Sequence, residues 1–122
     1  MNNDTLLLRQ INPSFIQDGK ITSQAFSPTP KDEKKLSCYD GDQISARDAH
    51  SHFSNGLGLR SAGVLAVTVN ECSSVELPAR PDPEPFKEHA IIDFEGNDNK
   101  EIRRKAKTLR NHAELRSWVY KP

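Results

Sequence analysis

GVLAVTV, residues 63–69, is the run whose reading decides the fold: apolar, rich in β-branched side chains, and too short for a buried helix. Such a run reads as a strand long enough for a central place in a sheet. HAIIDF, residues 89–94, is a second core strand. Its alternation sends Ala90, Ile92 and Phe94 to one face and His89, Ile91 and Asp93 to the other, the latter toward solvent or a covering loop. Between them, ARPDPEPF sets prolines at alternate positions, so residues 78–86 form an extended, polyproline-like connector.

A long helix follows the second strand. Asp98 and Glu101 have the spacing of a capping box, and Ile102, Ala106, Leu109 and Ala113 recur at helical intervals along one stripe. The opposite face carries Arg103, Arg104, Lys107 and Arg110. Residues 118–120 read as a closing edge strand.

Upstream, Thr5 to Ile11 is a strand, and Asn12-Pro13 and Asp18-Gly19 supply turns into a second strand over Lys20 to Phe26, hairpin-paired with the first. A brief strand over Leu36 to Tyr39 comes next. Ser45 is suited to cap a short helix near residues 46–54 that stops at Asn55-Gly56. Strands, a short helix, two strands and a long helix make an α+β class: one domain over residues 1–122, a mainly antiparallel sheet with the C-terminal helix on one face.

The 122 residues are 34% hydrophobic and 28% charged, enough for one modest core. Net charge is zero, which argues against a dedicated nucleic-acid or membrane-surface binder. It conceals a division: residues 1–99 hold 9 basic against 15 acidic side chains, residues 100–122 hold 8 against 2. Two cysteines, Cys38 and Cys72, are too few to staple the chain, and fit a reducing, cytoplasmic setting. The Leu6–Leu8 run is too short for a signal-peptide core or a membrane span.

RDAHSHF, residues 47–53, is the stretch most like chemistry. On a helix His50 and His52 lie about 200° apart, so they do not share a ligand, whereas Asp48 and His52 meet at i, i+4. Zinc needs three or four ligands, so neither a metal nor a cofactor is expected. His89, His52 and Asp48 are the candidate acid–base residues. His89 and Asp93 share a strand face about 13 Å apart, too far for direct contact. Arg103, Arg104, Lys107 and Arg110 are the candidate surface for an acidic protein or a nucleic-acid backbone.

No catalytic or phosphate-binding motif is present. The expectation is therefore a small protein-interaction or regulatory module, a subunit or binding partner in a larger bacterial assembly, more a binder than an enzyme. Two alternatives stand beside it: a small hydrolase or nuclease using His/Asp acid–base residues, and nucleic-acid binding through the helix at residues 100–116.

Overall fold

The computed structural model describes all 122 residues. In chain order the elements are β1 (Leu6–Gln10), β2 (Ile16–Gln17), β3 (Lys20–Ile21), β4 (Lys35–Asp40), α1 (Ala46–Ser51), β5 (Val64–Thr68), α2 (Val69–Ser73), β6 (Ala79–Pro81), β7 (His89–Asp93) and α3 (Asn99–Arg116). Five strands form one sheet in the order β5-β1-β4-β7-β6, every neighbouring pair antiparallel, and β2 and β3 make a separate hairpin. The class is α+β.

Strand alternation gives the sheet two buried faces. On the first, Leu7 and Ile11, Leu36 and Cys38, Leu65 and Val67, and Ala90, Ile92 and Phe94 meet Ala106, Leu109 and Ala113 of α3. Each large apolar side chain buried there contributes roughly 1.5–3 kcal/mol. Asp98 caps α3 as its spacing requires, accepting from Glu101 N while Glu101 accepts from Asp98 N. Lys105, outside the apolar stripe, is buried as well. On the second face Leu8, Tyr39, Val64 and Ala66 meet Ala49 of α1, with Phe53, Phe86, Val119 and Tyr120 against them.

Five expectations are corrected. Within residues 63–69, Val64–Thr68 does form a strand, but β5 lies at the sheet edge. It is apolar on both sides because both faces are covered, and the C-terminal tail shields its free edge: Val64 N donates to Tyr120 O, and Val119 N to Val64 O. The tail makes only this bridge, not an edge strand. Residues 20–26 do not pair with β1. Lys20 and Ile21 pair with β2, and Ser23–Phe26 forms a 3₁₀ turn that drops Ala25 and Phe26 into the core beneath α3. The short helix changes pitch: α1 ends at Ser51 and a π-helical turn runs from His52 to Gly56. The proline connector is partly sheet, since Ala79–Pro81 pairs with β7.

A polar latch ties α3 to the end of β5. Thr68 and Glu71 form the capping box of α2, and Arg116 grips the Glu71 carboxylate with both Nη atoms at 3.0 Å while Nη1 also donates to Ala66 O. His112 Nδ1 stands 3.3 Å from Glu71 Oε2. Burial alone would raise the Glu71 carboxyl, but the Arg116 and Thr68 hydrogen bonds and the neighbouring positive charge hold it below the usual carboxylate range.

Two predictions follow from these packing details. A folded-state value below the unfolded one makes the latch stabilising above the unfolded carboxylate pKa of about 4.3 and weakens it as pH falls through the folded value. Glu71→Gln should therefore cost about 2 kcal/mol near neutral pH, and the gap to the wild type should narrow as pH falls below the unfolded carboxylate range, read from urea midpoints. A gap independent of pH would contradict this origin. Gly63, at φ +155°, has the Trp118 ring 2.8 Å and Tyr120 O 2.9 Å from where a Cβ would stand. Gly63→Ala should cost about 2 kcal/mol by overpacking and shift the emission of Trp118, the single tryptophan, to the red.

Candidate functional site

The second face of the sheet is incompletely covered. Pairing between β1 and β4 stops at Leu8–Tyr39, while β1 stays paired to β5 as far as Gln10–Val64. Where β1 and β4 part, Arg9 reaches across: Nε donates to Ala25 O at 2.7 Å and Nη1 to Ser37 O at 2.9 Å, and the guanidinium lies 5.8 Å from the Phe15 ring. Burial lowers the Arg9 pKa.

Above this opening lies a half-open cleft of about 330 Å³. Its floor is Leu8, Gln10, Ser37, Tyr39 and His89; Phe53, Leu57 and Leu59 wall one side, Pro85 and Phe86 the other. Leu57 and Leu59 remain 45% and 50% exposed at the rim. The π-helical turn creates this wall, because Leu57 N donates to His52 O and Leu59 N to Phe53 O, which folds the loop back over β1.

Aromatic rings fill the end of the cleft beneath the proline connector. Phe86 stacks on Tyr39 at 5.0 Å and meets His52 edge-on at 4.7 Å and His89 at 5.2 Å between centroids. Two of the three candidate acid–base residues are thus gathered around one phenylalanine. Each is already engaged. Tyr39 Oη lies 2.8 Å from His52 Nδ1. Burial, with the nearby Glu88, pushes the Tyr39 phenol up to about 12, so it keeps its proton at neutral pH.

His89 is 8% exposed, covered by the connector rather than by water. Its Nδ1 is 2.8 Å from Asp82 O and 3.5 Å from Asp82 Oδ2, and its Nε2 is 3.1 Å from Ser37 Oγ. A carbonyl oxygen only accepts, so Nδ1 carries the proton and Nε2 turns a lone pair toward the Ser37 hydroxyl. The arrangement is a hydroxyl, an imidazole and an acceptor in line on the floor of an apolar cleft.

Asp48, the third candidate, stands apart. It is exposed, its main-chain amide donates to Ser45 Oγ in the first turn of α1, and its carboxylate forms no hydrogen bond or ion pair with the His52 ring. The helical reading had paired it with His52, but the Tyr39 hydroxyl draws that imidazole toward the sheet. His50 points another way, with Nε2 3.2 Å from Ser61 O. Asp93, also 8% exposed, pairs with Arg80 at 2.9 Å. Burial would raise its carboxyl, yet the Glu95 main-chain amide and Arg80 hold it below the ordinary range.

Histidine, cysteine and acidic side chains nowhere form a group of three placed to hold a metal ion. Cys38 and Cys72 are free and buried, and burial raises both thiols, Cys72 to about 12. On α3, Arg103, Arg104 and Lys107 are exposed, whereas Arg110 is tied to Glu114 at 3.2 Å. No helix is long and apolar enough to cross a membrane.

Ser37, Asp82, Gln10 and Phe86 were not among the sequence candidates. Strand alternation could have placed Ser37 on the same face as Tyr39, but its partner lies 52 residues away, and only the β4–β7 register brings them together. No protein-family model matches the chain, and neither a curated protein nor a solved structure does.

Proposed function

We propose that the chain is a small cytoplasmic interaction module that recognises an apolar group of a protein partner in the cleft between the π-helical turn and the proline connector. The observation that carries this reading is the cleft itself: an apolar hollow whose rim leucines, Leu57 and Leu59, are left half in water. Removing such side chains from water on binding is favourable at about 25 cal/mol per Å² of apolar surface. The walls support recognition, since one is a loop set by a π-helical turn and the other is stiffened by Pro81, Pro83 and Pro85, which lowers the entropy lost on docking. Two free, buried cysteines suit a reducing compartment.

The basic face of α3 is the competing surface. The two separate by mutation: full-length wild type, Leu57→Asp/Leu59→Asp and Arg103→Glu/Lys107→Glu are used as baits in extract of the native host. The proposal expects a protein captured by the wild type and by the charge-reversed bait but lost from the leucine variant. Capture lost only with charge reversal, and falling steeply with salt, would transfer the function to α3.

A further inference from the structure

Beyond recognition, we propose that Ser37 and His89 form a nucleophile–base pair that cleaves apolar acyl esters held in the cleft. The inference rests on the reading above only for the cleft's preference for apolar groups. Three observations carry it. Ser37 Oγ lies 3.1 Å from His89 Nε2, within reach for proton transfer. The imidazole is oriented from behind, because Asp82 O fixes the proton on Nδ1 and the Asp82 carboxylate lies 3.5 Å from the same atom. Ser37 is exposed while His89 is buried, so the nucleophile faces the guest and the base is shielded.

The opening between β1 and β4 completes the site. Asp40 N donates to Glu88 O and Phe94 N to Lys34 O, so even-numbered positions of β4 turn their main-chain groups toward β7 and odd-numbered ones toward β1. Ser37 N–H therefore points into the gap where the β1–β4 ladder has ended, beside the Arg9 guanidinium on Ser37 O. A donor from the nucleophile's own main chain and a nearby fixed positive charge favour a developing oxyanion.

The reaction closes on its own atoms. Ser37 Oγ bonds the acyl carbon and its proton passes to His89 Nε2. The carbonyl re-forms, the ester C–O bond breaks, and that proton leaves with the alcohol. Water then attacks the acyl-Ser37, giving a proton to Nε2; the acyl–Oγ bond breaks, releasing the carboxylic acid, and the proton returns to Oγ. Leu8, Phe53, Leu57, Leu59 and Phe86 favour an apolar acyl or aryl group.

The test uses the full chain with p-nitrophenyl butyrate, an alkyl fluorophosphonate, and an anilinonaphthalene dye as an independent reporter of the cleft. Expected are ester turnover that falls about 100-fold or more in Ser37→Ala and in His89→Gln, and one phosphonyl adduct per chain, mapped to Ser37 and absent from Ser37→Ala. Ser37→Ala removes an exposed hydroxyl whose place beside His89 Nε2 water can take, so it should fold and bind the dye as the wild type does; it carries the test even where His89→Gln fails to fold. A wild type that binds the dye, in a manner lost with Leu59→Asp, yet forms no Ser37 adduct and turns over no ester overturns the chemistry and leaves the cleft reading standing. An adduct on any other residue likewise overturns the chemistry. No dye binding sensitive to Leu59→Asp removes the cleft reading itself.

Discussion

Arg9 sets the separation on which the second face of the sheet depends. It sits on β1, between apolar Leu7 and Ile11, and spends its guanidinium on two main-chain oxygens, Ala25 O and Ser37 O. Ser37 O would otherwise continue the β1–β4 ladder, which instead stops at Leu8–Tyr39. A half-buried guanidinium needs acceptors to replace water, and the two main-chain oxygens supply them here. One of them belongs to the 3₁₀ turn that places Phe26 under α3, which links the main core to the strand opening beneath the cleft.

The cleft persists because the remainder of that face is closed by chain segments with places of their own. Tyr120 and Val119 cover β5 and its free edge, α1 covers the middle through Ala49, and Phe86 covers the β4–β7 side. They leave Ser37 exposed at the surface of that face. The π-helical turn widens the backbone spiral where an α-helix would have continued, and its hydrogen bonds carry Leu57 and Leu59 over the opening without filling it. Such one-turn departures from α-geometry are frequently found at functional positions.

Local chemistry made much of the fold legible and left the site obscure. The capping box at Asp98, the apolar stripe of α3, the Ser45 cap and the strands at 64–68 and 89–93 rest on interactions within a few residues, and these the chain declares openly. Position in the sheet is not local. An edge strand shielded by a tail has the composition of a central one, so Val64–Thr68 read as interior. The alternation Lys20 to Phe26 carried a strand pattern, but Phe26 had more surface to bury in the core than a strand beside β1 would have given it. For the site, His89 was singled out and Ser37 was not, since a serine in a short strand has no distinguishing pattern until register sets it opposite an imidazole.

Gln10 shows that the cleft floor is not satisfied by the chain alone. It is 5% exposed, Oε1 accepts from Ser61 Oγ at 2.8 Å, and Nε2 has no partner. Ser61 Oγ has a single proton and a second acceptor in reach, Gly63 O at 2.9 Å, while it accepts from Gly63 N. Turning the amide over would let Nε2 donate to Ser61 Oγ and free that proton for Gly63 O, yet Oε1 would then be the unpartnered atom. Neither orientation pairs both ends, and a buried polar atom left unpaired costs about 1–3 kcal/mol. Ser61 also accepts, through its main-chain oxygen, the contact from His50 Nε2. Gln10, Ser61 and His50 thus form one run of polar contacts from β1 to α1.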